Sequence, residues 1–169
     1  MDPCLFVKKG VICVVYVDDA IFGGKNGDDL EREITSLGVA AHEQRHKFEL
    51  RNEGEVGNFL GIQIKKTGPR EFYLRQPGLT DKVLKATGMN DCRGVPTPAI
   101  DKPVGADKEG DPFDEHWEYS SVIGMLMYLA ANSRPDIAYS VHQAARFTHA
   151  PRDLHATAVK QILRYLKET

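Results

Sequence analysis

The sequence predicts an α+β protein in which a β-hairpin and a small antiparallel sheet are followed by a helical region. Two observations support this class. Up to residue 76 the apolar residues stand in short β-branched runs or alternate with polar residues, as is typical of strands. From residue 77 they recur every three or four positions, as is typical of one helix face. This change of period, together with a proline- and acid-rich connector that precedes residue 118, predicts three segments, 1–76, 77–117 and 118–169.

The composition is that of an ordinary globular protein. The chain has 169 residues, 41% hydrophobic and 27% charged, enough for one domain or two small subdomains. Its longest apolar run, Val11–Val17, is far shorter than the roughly 20 residues that cross a bilayer. Met1-Asp2-Pro3 lacks the features of a signal peptide. Cys4, Cys13 and Cys92 share no metal-type spacing, so we expect reduced thiols. From the short apolar run and the lack of signal-peptide features, we expect no membrane partner and no secretion.

The first motif is a pair of adjacent carboxylates between two apolar runs. Val11–Val15 predicts a buried strand, Ile21-Phe22 resumes the apolar pattern, and Tyr16–Asp19 would form the hairpin tip between them. Asp18 and Asp19 repel each other there unless a cation lies beside them, and Mg²⁺ or Mn²⁺ prefers such oxygen ligands. The alternative is that the two residues simply make a good turn, because Asp hydrogen-bonds its own backbone.

A short helix and a possible zinc motif come next. Asp28 as N-cap, with Glu31 three residues later, predicts a helix over about 28–37 that Gly38 ends. His42-Glu43-Gln44-Arg45-His46 then spells the H-E-x-x-H signature of zinc hydrolases. A charged Arg45 inside the motif and strand-like residues directly after it favour a polar segment leading into a strand.

Residues 46–76 predict an antiparallel meander with one buried face. Apolar and polar residues alternate at 47–51, 59–65 and 71–75, with polar turns between them. Gly61 inside the second strand indicates a bulge or the close approach of another backbone.

The rest of the chain predicts helices around an acidic connector. Pro77 and Gly88 bracket one helix. Residues 94–116 are rich in proline and acid, with seven acidic residues against two lysines over 101–118, which predicts an extended, mobile linker. Two apolar helix faces follow after it, and a third lies on the final helix, whose other side is basic. The first face consists of Val122, Ile123, Leu126, Leu129 and Ala130, and is widened by Met125, Met127 and Tyr128. The second consists of Ile137, Val141, Ala144 and Ala145. The third, on the final helix, consists of Ala158, Val159, Ile162, Leu163 and Leu166, and its basic side carries Arg152, Lys160, Arg164 and Lys167.

Several segments resemble one family in order along the chain. Tyr16-Val17-Asp18-Asp19 resembles the Tyr-x-Asp-Asp box of reverse transcriptases, in the spelling typical of copia-type retrotransposons. Residues 54–64, with Phe59-Leu60-Gly61-Ile62, are similar to the segment that follows this box. Residues 119–130, Arg134–Tyr139 and Leu163–Lys167 are similar to the family's later blocks. The chain is thus identified as a member of the copia-type reverse transcriptases, in the C-terminal part of the polymerase domain.

The resemblance implies a partial palm at 1–76, a thumb helix and connector at 77–117, and a thumb or connection segment at 118–169 that stops before ribonuclease H. It assigns metal coordination to Asp18 and, with a more structural role, Asp19, and primer positioning to Tyr16 and Val17. Phe59, Leu60 and Gly61 would belong to a primer-supporting hairpin. The complete family site holds two Mg²⁺ or Mn²⁺ ions and acts on deoxynucleotides and an RNA or DNA template with primer.

The same resemblance implies that part of the site is missing. The family places a third carboxylate on an upstream palm strand, whereas Asp2 is the only acid among the fifteen residues before Tyr16. We therefore expect an RNA-directed DNA polymerase fragment with little activity alone, completed by the upstream part of the polyprotein. The expected location is a cytoplasmic virus-like particle or the nucleus. A non-catalytic nucleic-acid-binding remnant is the first alternative, and a zinc hydrolase using His42 and His46 is the second.

Overall fold

The computed structural model describes residues 3–43, 51–69, 71–102 and 104–169, with 37–43 described as backbone only. The chain divides into two compact units, Met1–Phe59 and Leu60–Thr169. In the described residues there are two small three-stranded antiparallel sheets and five α-helices, which confirms the α+β class. The three-segment division stays a prediction. Within the described residues, every helix is too short or too polar to cross a membrane.

The first unit is an antiparallel sheet followed by one helix. Its strands have the order β1-β2-β3 and are β1 (Leu5–Lys8), β2 (Val11–Tyr16) and β3 (Asp19–Gly24). Lys9 and Gly10 link β1 to β2, with φ angles of 48° and 80°. Both angles are positive, as a two-residue hairpin turn of type I′ requires.

Helix α1 is longer than the sequence predicts. It spans Gly27–Glu43 and continues through Gly38, where the sequence predicts its end. An internal glycine costs only about 1 kcal/mol relative to alanine, and the residues after Gly38 are compatible with a helix. The predicted N-cap is also wrong: the Asn26 side-chain oxygen accepts the Asp28 backbone N–H at 3.1 Å, so Asn26 is the capping residue.

The first sheet is less buried than predicted. In the predicted buried strand Val11–Val15, only Val11 is fully buried, and Ile12 is 47% exposed. Lys8, which pairs with Val11, forms an ion pair of 2.7 Å with Glu33 of α1. Since side chains alternate between faces, α1 lies on the face of Lys8 and Val11. The opposite face, which includes Ile12, is left open.

The second sheet has the order β4-β5-β6 and consists of β4 (Asn58–Phe59), β5 (Ile62–Gly68) and β6 (Glu71–Arg75). Gly61 is neither a bulge nor a close contact, which corrects that prediction: it lies in the turn before β5, and a Cβ there would meet nothing within 4 Å. The sheet irregularity falls instead between Lys66 and Gly68. Most of the predicted strand at 47–51 lies outside the described residues.

The helical part begins with α2 (Pro77–Ala86), which Gly88 ends at a φ of 66°. The Gly88 N–H bonds Lys85 O and the Met89 N–H bonds Leu84 O, the two bonds of a Schellman motif. The helices that follow are α3 (Tyr119–Asn132), α4 (Ala138–Ala145), which comes directly after a 3₁₀ turn at Pro135–Ile137, and α5 (Asp153–Glu168).

The core of the second unit matches the predicted apolar faces closely. Every predicted inward residue of α5 is buried, and so are the five that define the α3 face. The predicted widening of that face holds for Met125, which packs against the core. It is wrong for Met127 and Tyr128, which are 43% and 42% exposed.

The acidic connector is anchored along α5 and is not the predicted mobile linker. Side chains of α5 and of its capping residue donate hydrogen bonds to four connector carbonyls. These bonds are Arg164 to Arg93 (2.9 Å), Gln161 to Thr97 (3.0 Å), His155 to Gly105 (2.8 Å) and Arg152 to Gly110 (3.2 Å). The later a residue lies in the connector, the earlier its partner lies along α5. The connector therefore runs antiparallel to α5, from the C-terminal to the N-terminal end of that helix. Phe113 and Trp117 then pack edge to face at 4.8 Å, and Trp117 is buried.

A charged clamp holds the turn between α3 and α4. Arg134 donates to both Asp136 oxygens, at 3.1 and 2.8 Å, and its guanidinium lies over the Tyr165 ring. This hydrogen bonding to Arg134, together with that of Tyr165, lowers the pKa of Asp136 below its ordinary value. The ion pair is partly exposed, so its contribution to stability is modest.

We expect this clamp to make stability depend on acid pH. A carboxyl with a lowered folded pKa stabilises the protein above its ordinary pKa of 3.8 and loses that contribution as the pH falls through the folded value. Asp136→Asn should therefore lower the melting temperature at pH 7, and the difference from wild type should shrink as the pH falls below 3.8 and through the lowered pKa. Thermal unfolding between pH 2.5 and 7 measures this, with the exposed Asp101→Asn as the matched control. A pH-independent difference would contradict it.

Candidate functional site

The Asp-Asp motif lies at the tip of the β2–β3 hairpin, as the sequence predicts. Tyr16 pairs with Asp19, which leaves Val17 and Asp18 as the two residues of the connecting turn. All four are exposed, Val17 to 81% and Tyr16 to 56%. The four residues of the motif are thus brought together at one end of the sheet.

The tip contains an unusual backbone conformation. Val17 has a φ of 53°, in the left-handed region. A β-branched residue rarely adopts this region, and such strain tends to occur at functional sites. The two-residue connection explains the angle, because tight hairpins require a positive φ at the first turn position. The backbone conformation of Val17 sets the directions in which the chain continues to its two neighbours, Tyr16 and Asp18.

The carboxylates at the tip have the chemistry that a hard divalent cation needs. Neither Asp18 nor Asp19 forms a salt bridge with any residue that the structure describes, so their oxygens face solvent and are available as ligands. Within that same part of the chain, no three His, Cys, Asp or Glu side chains are grouped closely enough to hold a metal. Mg²⁺ typically uses one or two carboxylates together with water and substrate phosphates. The tip fits such an ion as a partial ligand set.

The second predicted site segment is Phe59-Leu60-Gly61, in which Phe59 ends β4 and Leu60 and Gly61 form the turn before β5. Leu60 and Gly61 have φ angles of 51° and 76°. The Tyr128 hydroxyl, on α3, donates a hydrogen bond of 2.9 Å to the Leu60 carbonyl. Leu60 and Gly61 belong to the second unit, whereas the Asp-Asp tip belongs to the first.

The predicted basic face of α5 is largely occupied from within the chain. Lys160 is ion-paired with Glu115 of the connector. Arg152 and Arg164 donate to connector carbonyls, and of the four predicted cations only Lys167 is exposed. A face whose hydrogen-bond donors already have partners within the chain is a weak site for a phosphate backbone.

A groove between α2 and α3 was not predicted. It has a volume of about 540 Å³ and is lined by Leu79, Lys82, Ser121, Gly124, Met125 and Tyr128. The four α3 residues stand at i, i+3, i+4 and i+7, which is the spacing of one helix face. This second stripe of residues on α3, with a glycine at its centre, is the sequence pattern that could have indicated the groove. The zinc motif cannot be located in the same way, because the His42 side chain and all of His46 lie outside the described residues.

Comparisons with known proteins find similarity to Pol polyproteins of transposons. The retrovirus-related Pol polyprotein from transposon RE1 of Arabidopsis thaliana is 33% identical over 172 residues. That from transposon TNT 1-94 of Nicotiana tabacum is 30% identical over 182 residues. Both matches cover 99% of this chain, but only 11% and 13% of the polyproteins. The class is therefore that of transposon Pol polyproteins.

Within that class, the chain belongs to the copia-type retrotransposon Pol proteins, in their polymerase region. It is also 33% identical to the uncharacterized mitochondrial protein AtMg00810 of Arabidopsis thaliana, over 92% of this chain and 61% of that protein. The chain thus spans a small part of the polyproteins that it matches. No protein-family model and no solved structure matches it.

Proposed function

We propose that this chain is part of a reverse transcriptase and contributes two of the three carboxylates of its metal site together with primer-contacting elements. The observation that carries the proposal is the exposed Asp18-Asp19 pair at a strained two-residue hairpin tip. The match to transposon Pol polyproteins over nearly the whole chain supports it.

In this proposal each element of the tip has one task. Asp18 is the main metal ligand and Asp19 supports it, while Tyr16 and Val17 lie beside the primer end. The bound Mg²⁺ or Mn²⁺ ions would stabilise the attacking and leaving oxygens of nucleotidyl transfer. Phe59, Leu60 and Gly61 support the primer. Substrates are deoxynucleotides on an RNA or DNA template.

The upstream part of the polyprotein is the proposed partner. The described tip supplies two carboxylates, so a third ligand has to come from elsewhere. In the described sheet, β1 and β3 each pair only with β2, and their outer edges are open for an added strand. An upstream strand beside this sheet would cover an edge and bring its carboxylate to the tip. We place the assembled protein in a cytoplasmic virus-like particle or the nucleus.

Primer extension tests the proposal. The chain alone, with Mg²⁺, an RNA template and a DNA primer, should extend the primer little or not at all. The same chain joined in frame to the coding segment upstream of Met1 should extend it in a Mg²⁺-dependent way. Failure of the joined protein, although it is folded by circular dichroism, would contradict the proposal. Activity of the chain alone would contradict the view that the site is incomplete.

A non-catalytic nucleic-acid-binding role is the second candidate. The groove lined by Lys82 and Tyr128 favours it, because this groove is open whereas the basic face of α5 is occupied. Binding of this kind would weaken with salt and would not need Asp18. The zinc hydrolase alternative requires stoichiometric zinc that is lost in His42→Ala.

A further inference from the structure

The turn at Leu60-Gly61 is held from outside its own hairpin. Both residues have positive φ angles, 51° and 76°, and only glycine adopts such angles without steric cost. Leu60 is half-buried. Its carbonyl accepts a hydrogen bond of 2.9 Å from the Tyr128 hydroxyl, 68 residues further along the chain.

The other end of this contact is rigid. Tyr128 lies on α3 between residues of the core, since Leu126 and Leu129 on the same helix are both fully buried. The tyrosine is itself 42% exposed and lines the groove between α2 and α3. A tyrosine has few rotatable bonds, so a ring on a fixed helix holds its hydroxyl in a narrow region.

From these two observations we propose that Tyr128 is a positioning residue: its hydroxyl fixes the Leu60-Gly61 turn against α3, so that the turn can receive a primer 3′ end. The inference rests on the proposed function, which assigns primer support to this turn. Tyr128 acts through the Leu60 carbonyl and needs no contact with the nucleic acid.

Tyr128→Phe removes only the hydroxyl and therefore tests the proposal directly. Two fluorescein-labelled DNA duplexes with equal numbers of phosphates serve as probes, one with a recessed 3′ end and one blunt. The wild-type chain should prefer the recessed duplex in anisotropy titrations. Loss of one hydrogen bond should reduce that preference roughly fivefold and leave the affinity for the blunt duplex within about twofold.

The matched control is Tyr139→Phe, since Tyr139 is 71% exposed and no hydrogen bond of its hydroxyl is seen among the described residues. It should leave both affinities unchanged. Amide hydrogen exchange at residues 60–62 should become faster in Tyr128→Phe and not in Tyr139→Phe, while circular dichroism stays that of the wild type.

The outcomes separate the two levels of the proposal. A full preference for the recessed duplex in Tyr128→Phe, or an equal loss of affinity for both duplexes, overturns the positioning role alone. A wild-type chain without any preference for the recessed end contradicts primer support by this turn, and with it both the inference and this part of the proposed function.

Discussion

Replacing Asp18 with asparagine in the protein extended by its upstream segment should reduce primer extension by about 1,000-fold or more. Asparagine keeps the size of the side chain but removes the negative charge that would hold the cation of the proposed site. A catalytic cation supplies several kcal/mol of transition-state stabilisation, and about 4 kcal/mol corresponds to about 1,000-fold in rate. Single-turnover extension with saturating primer–template and deoxynucleotide measures the effect.

The design of this experiment separates charge loss at the tip from charge loss nearby. Asp28→Asn is the matched control, because Asp28 is an exposed acid at the start of α1 and should change the rate by less than twofold. Asp19→Asn should fall between the two. Primer–template affinity should be nearly unchanged in Asp18→Asn, since the loss occurs in the chemical step. An Asp18→Asn protein as active as the control would exclude this residue as a metal ligand.

Replacing Trp117 with alanine should lower the free energy of unfolding by about 3–5 kcal/mol. Trp117 is 5% exposed and packs against Phe113 and Tyr119, with ring centroids 4.8 and 5.9 Å away. Its removal leaves a cavity at the point where the connector enters the core. The melting temperature should fall by about 6–20 °C, as measured by calorimetry or circular dichroism.

This substitution also decides between an anchored and a mobile connector. In a mobile linker Trp117 would be exposed, and its loss would have little effect. Tyr139→Ala, at an aromatic residue that is 71% exposed, is the control and should cost less than about 1 kcal/mol. If Trp117→Ala does not fold, Trp117→Phe still answers the question. It should cost less than the alanine change, because the indole N–H has no partner among the described residues. A Trp117→Ala protein as stable as the control would contradict the anchored connector.

Much of this arrangement could be predicted because its causes are local. The β-branched run before Tyr16 and the apolar run after Asp19 predict the hairpin, and its tip lies where expected. Apolar residues at helical spacing predict the buried faces of α3 and α5. Such patterns depend on residues a few positions apart, where periodicity is informative.

The incorrect predictions concern contacts between distant residues. The connector appears mobile from its prolines and acids, yet its anchors join residues 42 to 71 positions apart. The cations of α5 appear free for the same reason, although Lys160 has its partner 45 positions earlier, at Glu115. The left-handed angle of Val17 could not be predicted either, because valine disfavours it and only the length of the turn requires it.

The crossing of the connector over α5 has a consequence for synthesis on the ribosome. Residues 93–110 are made before Arg152, Gln161 and Arg164, whose side chains later bond their carbonyls. Until the last helix has left the exit tunnel, these residues lack the hydrogen bonds that α5 and its capping residue supply. A premature stop codon before α5 would therefore remove more than one helix. It would also leave the middle of the nascent chain unfolded and open to proteolysis.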